Sequence, residues 1–374
     1  MMLFVEKGIR GGITQCCTKY SKTNNKYLNG KNYDPTKPPT HIMYMDMVNL
    51  YGWAQSQCLP LNNFKWLSEA KLKSLTPEAI LNVPDDAVQG LILVVDLSYH
   101  RQLHDQHKSI PFCEHHTPPG AKNKKLLATL HSKTRYVIHY RNLNQCLQAG
   151  LILERVHRTI NFKQSCWLKP YIDFNARLRA QATNGFEKNL YKLLNNANFG
   201  KTMENVRNHR IIKLVTRWSG RYGANYYISQ PNFHSREIFD DELLAIELSK
   251  TEILFNKPLY VGMAILEISK TRMYDFHYNF MQHQFSADRL KLLYMDTDSL
   301  EPPIYTWIFV QSPSLNLDGP IIFILWNIGI HLLRHRHRFA FRLQGAQQQQ
   351  MSTVGQSQHA QKDMKLLSRR SLLD

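Results

Sequence analysis

The sequence has no Cys-x-x-Cys pair; its six cysteines, Cys16, Cys17, Cys58, Cys113, Cys146 and Cys166, follow no zinc or redox spacing. It shows no apolar secretory segment at its start, so a reduced intracellular protein is expected. Long apolar runs are also missing. The best candidate, Pro320 to Leu333, is broken by Asn327 and His331 and falls short of the ~20 residues that span a bilayer, so no membrane partner is expected. There is no internal repeat. Acidic residues are few, 29 Asp plus Glu against 47 Lys plus Arg, for a net charge of +18 over 374 residues. Such an excess repels basic partners and draws polyanions, with nucleic acid the leading candidate. An intracellular, nuclear location is expected. A basic, merely solvated surface would show the same charge, so residue patterns have to decide.

With 43% hydrophobic residues the chain can bury one large core or two to three smaller lobes. Residues 1–40 carry Gly8-Ile9-Arg10-Gly11-Gly12, then a polar stretch closed by Pro35, Pro38 and Pro39, which predicts an extended connection. Apolar runs predict strands at His41–Met45, Leu91–Leu97, Tyr136–Tyr140 and Leu151–Phe162. Residues 98–135, rich in His, Lys and Pro, predict an exposed excursion. Arg141–Ala149, stopped by Gly150, predicts a helix, as do Phe186–Phe199 and Pro258–Met281, the last with Val261, Ile265, Ile268 and Phe276 on one face. Arg207, His209, Arg210, Lys213, Arg217 and Arg221 form a basic stretch, and Asp240-Asp241-Glu242 predicts an exposed loop or helix start. From about Gln344 the Gln- and Ser-rich tail predicts disorder.

Two of the apolar runs end alike, in Tyr44-Met45-Asp46 and Tyr294-Met295-Asp296, and the second continues into Thr297-Asp298. Carboxylates at the tips of paired strands can hold two divalent cations roughly 3.5–4 Å apart, one activating a hydroxyl and the other stabilising a leaving phosphate. Mg²⁺ suits such a site, because it takes carboxylate oxygens plus water and substrate phosphate. A single Asp at a strand end is more often a turn former bonded to its own backbone; three in this arrangement favour chemistry. On a helix, Lys192, Asn196 and Phe199 share a face, offering a cation, an amide and an aromatic plate. A solvated amphipathic face would also place lysines there. Cys113, His115 and His116 lack a fourth ligand at metal spacing, so no zinc site is expected.

Residues 294–299, Tyr-Met-Asp-Thr-Asp-Ser, resemble motif C of the family B DNA polymerases, Tyr-x-Asp-Thr-Asp-Ser, at every fixed position. Asp46-Met47-Val48-Asn49-Leu50-Tyr51-Gly52 resembles motif A, Asp-x-x-Ser-Leu-Tyr-Pro, with Asn for Ser and Gly for Pro. The run from Lys192 to Gly200 resembles motif B, Lys-x-x-x-Asn-Ser-x-Tyr-Gly, with Ala197 for Ser and Phe199 for Tyr. Ile9-Arg10-Gly11-Gly12 resembles the family's Tyr-x-Gly-Gly motif without its Tyr.

The resemblance implies template-directed DNA synthesis with two Mg²⁺ ions held by Asp46 and Asp298, and Asp296 in support. It implies nucleotide binding by Tyr51, which excludes a 2′-hydroxyl, and by Lys188, Lys192, Asn196 and Phe199. DNA contacts are implied at Arg10, Gly11, Gly12, Thr297 and Ser299. The implied fold class is α+β, a polymerase palm of antiparallel sheet and helices plus helical fingers, with the exonuclease domain absent and the thumb absent or incomplete.

The implied division is a connector at 1–40, palm at 41–68, palm with an insertion at 69–180, fingers at 181–225, palm at 226–300 and a divergent, partly disordered tail at 301–374. The insertion between motifs A and B is similar to that of protein-primed family members. Cys113–Gly120, Tyr136–Asn142, Trp167–Tyr171 and Phe199–Asn205 look like polymerases of Maverick (Polinton) DNA transposons. Implied partners are DNA template and primer, deoxynucleotides and a terminal protein primer.

After motif C the chain reads Glu301-Pro302-Pro303, and prolines remove ladder donors where a returning strand would pair. The competing reading is therefore a catalytically inactive, DNA-binding remnant. Reverse transcriptase or RNA polymerase ranks last, because Thr297 separates the two carboxylates of residues 296–298.

Overall fold

The computed structural model describes residues 1–25, 33–38, 40–47, 49–115, 126–285, 290–297 and 305–311, with backbone alone for 41–46, 296–297 and 305–311. Its strands are β1 (Gln15–Cys16), β2 (His41–Asp46), β3 (Leu59–Trp66), β4 (Gln89–Ser98), β5 (Lys133–His139) and β6 (Ile152–Ser165). They continue with β7 (Arg210–Val215), β8 (Phe233–Asp240), β9 (Leu243–Ser249), β10 (Leu290–Thr297) and β11 (Tyr305–Gln311). The principal helices are α1 (Leu50–Gln55), α2 (Tyr140–Gln148), α3 (Lys169–Gln181), α4 (Gly185–Thr202) and α5 (Leu259–Tyr274). The described strands form three antiparallel sheets, ordered β1-β10-β11-β2, β3-β6-β4-β5 and β7-β9-β8. The fold class is α+β, as expected.

Strand β4 is apolar on both faces because both are covered. Leu91, Leu93, Val95 and Leu97 pack into a core with Tyr136, Ile138 and Tyr140, while Ile92 and Val94 pack with Ile160, Phe162 and Met263 on the other side. Helix α5 is buried all round rather than on the single face its periodicity predicted. Leu259 and Met263 enter one apolar cluster, Val261, Ala264, Ile265 and Ile268 a second, and Met273 and Tyr274 a third. A helix hydrophobic on every side is the interior element of its fold. Past Tyr274 it runs on as a π-helical segment, Asp275–Met281.

The expected exposed excursion at 98–135 is in part a core element. Phe112, 1% exposed, stacks on Tyr274 with ring centroids 4.5 Å apart and on Tyr278 at 5.1 Å. The Tyr99 hydroxyl meets His107 Nδ1 at 2.8 Å. Polar letters dominate this stretch, but a few aromatics decide where it goes, because each buries a large area. A strand also follows the prolines: β11 pairs with β10 on one side and β2 on the other. Its donors begin at Tyr305, after the two residues that have none. Asp240 to Leu243 closes the β8–β9 hairpin on exposed residues.

Two charges of α5 lie inside. Lys270 Nζ is 3.2 Å from Glu114 Oε2 and 3.7 Å from Glu267 Oε1, all three side chains at most 7% exposed. Glu267 Oε2 accepts from Asn142 Nδ2 at 2.9 Å and from the backbone N–H of His139 at 3.4 Å. Burial would raise the Glu114 carboxyl, but the Lys270 charge and a backbone hydrogen bond hold it below the ordinary carboxylate range.

Two buried imidazoles carry a pH prediction. Burial lowers His139 and His277 each to about 3, with Arg141 adding to the first and His107 to the second. Folded, they stay neutral where the unfolded chain takes up protons, so stability is complete above the unfolded value near 6.5 and falls as pH drops toward about 3. Between pH 6 and 5 the slope approaches roughly 1.4 kcal/mol per pH unit for each group. Urea titrations across that range should show it, and His139→Gln should remove one group's share of the slope while that of His277 stays.

Candidate active site

The sheet β1-β10-β11-β2 brings the two matching strand ends together. Thr306 of β11 is registered with Asp296 of β10 on one side and with Asp46 of β2 on the other. Positions in one register row share a sheet face, and two strand spacings separate Asp46 from Asp296 by roughly 10 Å at Cα. Sites of motifs A and C remote in sequence thus become neighbours across one returning strand. Asp298 and Ser299 lie outside the described residues, as do the side chains of Asp46, Asp296 and Thr297. Among the described residues no group of three His, Cys, Asp or Glu side chains is placed to hold a metal. Aspartates are the residue type that suits Mg²⁺, which takes hard oxygen ligands and needs few from the protein.

Beside this row, α1 carries the aromatic of motif A against that of motif B. Tyr51, 4% exposed, stacks on Phe199 of α4, centroids 4.6 Å apart at 25°. The two rings share an apolar cluster with Ala54, Leu59 and the Val261–Ile268 stretch of α5. Phe199 therefore does not stand open as the expected plate, since Tyr51 covers one face of its ring. Buried Gln55 donates from Nε2 to the backbone oxygen of Asn195 at 3.1 Å, and Asn175 Nδ2 of α3 donates to Asn195 Oδ1 at 3.0 Å. Gln55, Asn175 and Asn195 carry no signal in single-sequence reading. Only the fold reveals that these amides tie α1 and α3 to α4.

The α3–α4 hairpin has local causes. Pro170 sits in the first turn of α3, and Asn184 caps α4 by accepting from the Glu187 N–H at 2.8 Å, with the Glu187 charge in the first turn. The C-terminal end of α4 comes close to Gly262 of α5, where an added Cβ would lie 2.2 Å from Met203 Sδ and 2.7 Å from Thr202 Oγ1.

Both departures from motif A have one explanation. Asn49 precedes α1 in the left-handed region at φ 59°, a conformation Asn tolerates better than most residues. Its side chain folds over Gly52, where a Cβ would lie 2.2 Å from Asn49 Nδ2 and 2.4 Å from Oδ1. Asn in place of Ser thus goes with Gly in place of Pro.

On α4, Lys188 is exposed, Lys192 and Asn196 are half-buried, and the Asn196 Oδ1 is a buried acceptor with no partner among the described residues. Gly11 and Gly12 are half-buried in the segment leading to β1. Arg10 is placed inward rather than toward DNA. It is 6% exposed, donates to the carbonyl of Val137 at 2.8 Å, and lies 3.7 Å from the centre of the Tyr136 ring. A guanidinium so enclosed positions the connector against β5. Cys113 is buried with its Sγ 3.5 Å from Cys146 Sγ, and His115 pairs with Leu127 in an isolated bridge; His116 lies outside the described residues.

A family model described as DNA polymerase type B, organellar and viral, matches residues 5–283. The chain belongs to that family. No curated protein matches it. Among solved structures it is similar to an orthorhombic crystal form of Phi29 DNA polymerase, at 15% identity and TM-score 0.45 over 85% of this chain and 44% of that one. A ternary complex of Phi29 DNA polymerase with primer-template DNA and incoming nucleotides stands at 16% identity and TM-score 0.44 over the same shares. The chain spans 44% of the length of these polymerases. No helix among the described residues is long and apolar enough to cross a membrane.

The Asn49–Gly52 contact is testable by a double-mutant cycle. Gly52→Ala should destabilise the fold by about 1–3 kcal/mol through overpacking, and Asn49→Ser in the same chain should recover about 1 kcal/mol or more. Purely additive melting shifts for the two changes would show that the side chains do not interact.

Proposed function

We propose that this chain is the palm and fingers portion of a DNA-directed DNA polymerase that adds deoxynucleotides to a primer end, of the protein-primed, transposon type. The observation that carries the reading is the Asp46–Thr306–Asp296 row beside the stacked Tyr51 and Phe199. Family membership supports the nucleotidyl transfer, and the resemblance of Cys113–Gly120, Tyr136–Asn142, Trp167–Tyr171 and Phe199–Asn205 to Maverick (Polinton) polymerases is the ground for the transposon origin and the terminal protein primer.

Asp46 and Asp298 would hold two Mg²⁺ ions, which supply hydroxyl activation and charge stabilisation when bound. Asp296 supports them from the same strand end. Lys192, with Lys188 one turn earlier, neutralises the triphosphate, a positioning and charge-stabilising role that phosphoryl transfer rewards. Asn196 offers its amide on the same face. Tyr51 excludes a 2′-hydroxyl through bulk held in place by Phe199. The +18 net charge favours salt-sensitive contact with template and primer.

Purified protein should extend a primed template with Mg²⁺, and Asp298→Asn should lower the rate by roughly 10³-fold, the loss expected when several kcal/mol of charge stabilisation go. Tyr51→Val should raise ribonucleotide incorporation roughly 10-fold relative to deoxynucleotide, about 1.4 kcal/mol of discrimination. Salt-sensitive DNA binding that survives Asp46→Asn and Asp298→Asn, with no extension by the wild type from any primer, would instead identify a binding remnant.

A further inference from the structure

Outside the polymerase motifs, two cysteines stand together at the root of the α3–α4 hairpin. Cys58 directly precedes β3 and Cys166 directly follows β6, and the ladder between these strands begins at Leu59 opposite Ser165. The next pair outward is Cys58 opposite Cys166, and their Sγ atoms lie 2.7 Å apart. Directly opposed positions on antiparallel strands bring Cα atoms to roughly 4.5–5.5 Å, inside the range a disulfide spans. Cys58 is buried and Cys166 exposed.

The pair also joins the right places. Leu59, next to Cys58, belongs to the apolar cluster that holds Tyr51 and Phe199, and Leu168, two residues after Cys166, packs on the same cluster just before α3 begins. A covalent link here would tie the exit of α1 to the root of the helical hairpin.

We propose that Cys58 and Cys166 are an oxidation site, closing to a disulfide on contact with a hydroperoxide and clasping the α3–α4 hairpin to the segment that carries Tyr51. Exposed Cys166 takes the first step. Its thiolate attacks one oxygen of hydrogen peroxide, the O–O bond breaks, and hydroxide leaves and gains a proton to become water. The Cys58 sulfur then attacks the resulting sulfenic acid. The S–S bond forms, the S–O bond breaks, and the departing hydroxyl leaves as a second water with the Cys58 proton. The two sulfurs together lose two electrons, which the peroxide gains.

Burial first, then the hydrogen bond to Cys166, pushes the Cys58 thiol up to about 12, so it waits as a thiol until its neighbour is oxidised. The other close pair, Cys113 and Cys146, is an internal control: its sulfurs lie 3.5 Å apart, but both residues are at most 2% exposed and out of an oxidant's reach. The clasp does not depend on whether the chain polymerises.

The full chain should be treated with hydrogen peroxide, quenched with catalase, alkylated in denaturant and digested. A linked peptide carrying Cys58 and Cys166 should appear, vanish with dithiothreitol, and leave Cys113 and Cys146 alkylated. The oxidised protein should unfold at higher urea and return to its starting midpoint on reduction. Cys166→Ser, a change on the surface, should abolish the linked peptide and the shift while leaving the reduced midpoint in place; Cys58→Ser should also abolish the link. Alkylation of both Cys58 and Cys166 after oxidation, their preferential linkage to other cysteines, or an equal midpoint shift in Cys166→Ser would overturn the clasp.

Discussion

The sheets and helices around the candidate site lean on α5, a helix that meets apolar partners on every side. Leu259 and Met263 reach the β4–β6 sheet, Val261 to Ile268 reach Tyr51 and Phe199, and Met273 and Tyr274 reach the core under the motif C strand, where Leu292 and Met295 lie. Its interior position also forces its two central charges to find partners. Lys270 pairs with Glu114 and Glu267, and Glu267 Oε2 accepts from Asn142 and the His139 backbone, so the α5 register is coupled to that of β5, α2 and the segment after Phe112. Removing one member would strand a buried charge, while the complete set mainly specifies one arrangement.

That arrangement carries the site. Helix α4 can approach α5 closely because Gly262 leaves room for Met203 and Thr202. Once there, Phe199 meets Tyr51, and the buried amides of Gln55, Asn175 and Asn195 hold α1, α3 and α4 at fixed distances. The proposed phosphoryl transfer would depend on such positioning more than on reactive side chains. The departures at Asn49 and Gly52 fit the same logic, since the left-handed residue and the missing Cβ answer one another from either side of Leu50 and Tyr51.

Much of this was legible in the sequence. The strands β2 and β4, the helices α2 and α4 and the start of α5 stand near where periodicity and stop signals put them, because burial on one or both faces leaves a pattern. Other features left none. Arg10 was expected at the DNA and is enclosed against Tyr136, since a charge letter does not say whether an aromatic face and two carbonyls await it. Residues 98–115 looked solvated, because a few aromatics outweigh many polar letters only once Tyr274 and Tyr278 are there to receive them.

By itself the sequence determined the chemical identities: three carboxylates at two strand ends, a Lys–Asn–Phe helix face and a basic surface, enough to point to nucleotidyl transfer. These follow from residue type and local spacing, which a linear chain records directly. The tertiary structure alone decided the partnerships. It set Asp46 and Asp296 in one row across Thr306, covered Phe199 with Tyr51, turned Arg10 inward and brought Cys58 against Cys166. Each joins residues distant along the chain, and such contacts arise from packing that no local pattern encodes.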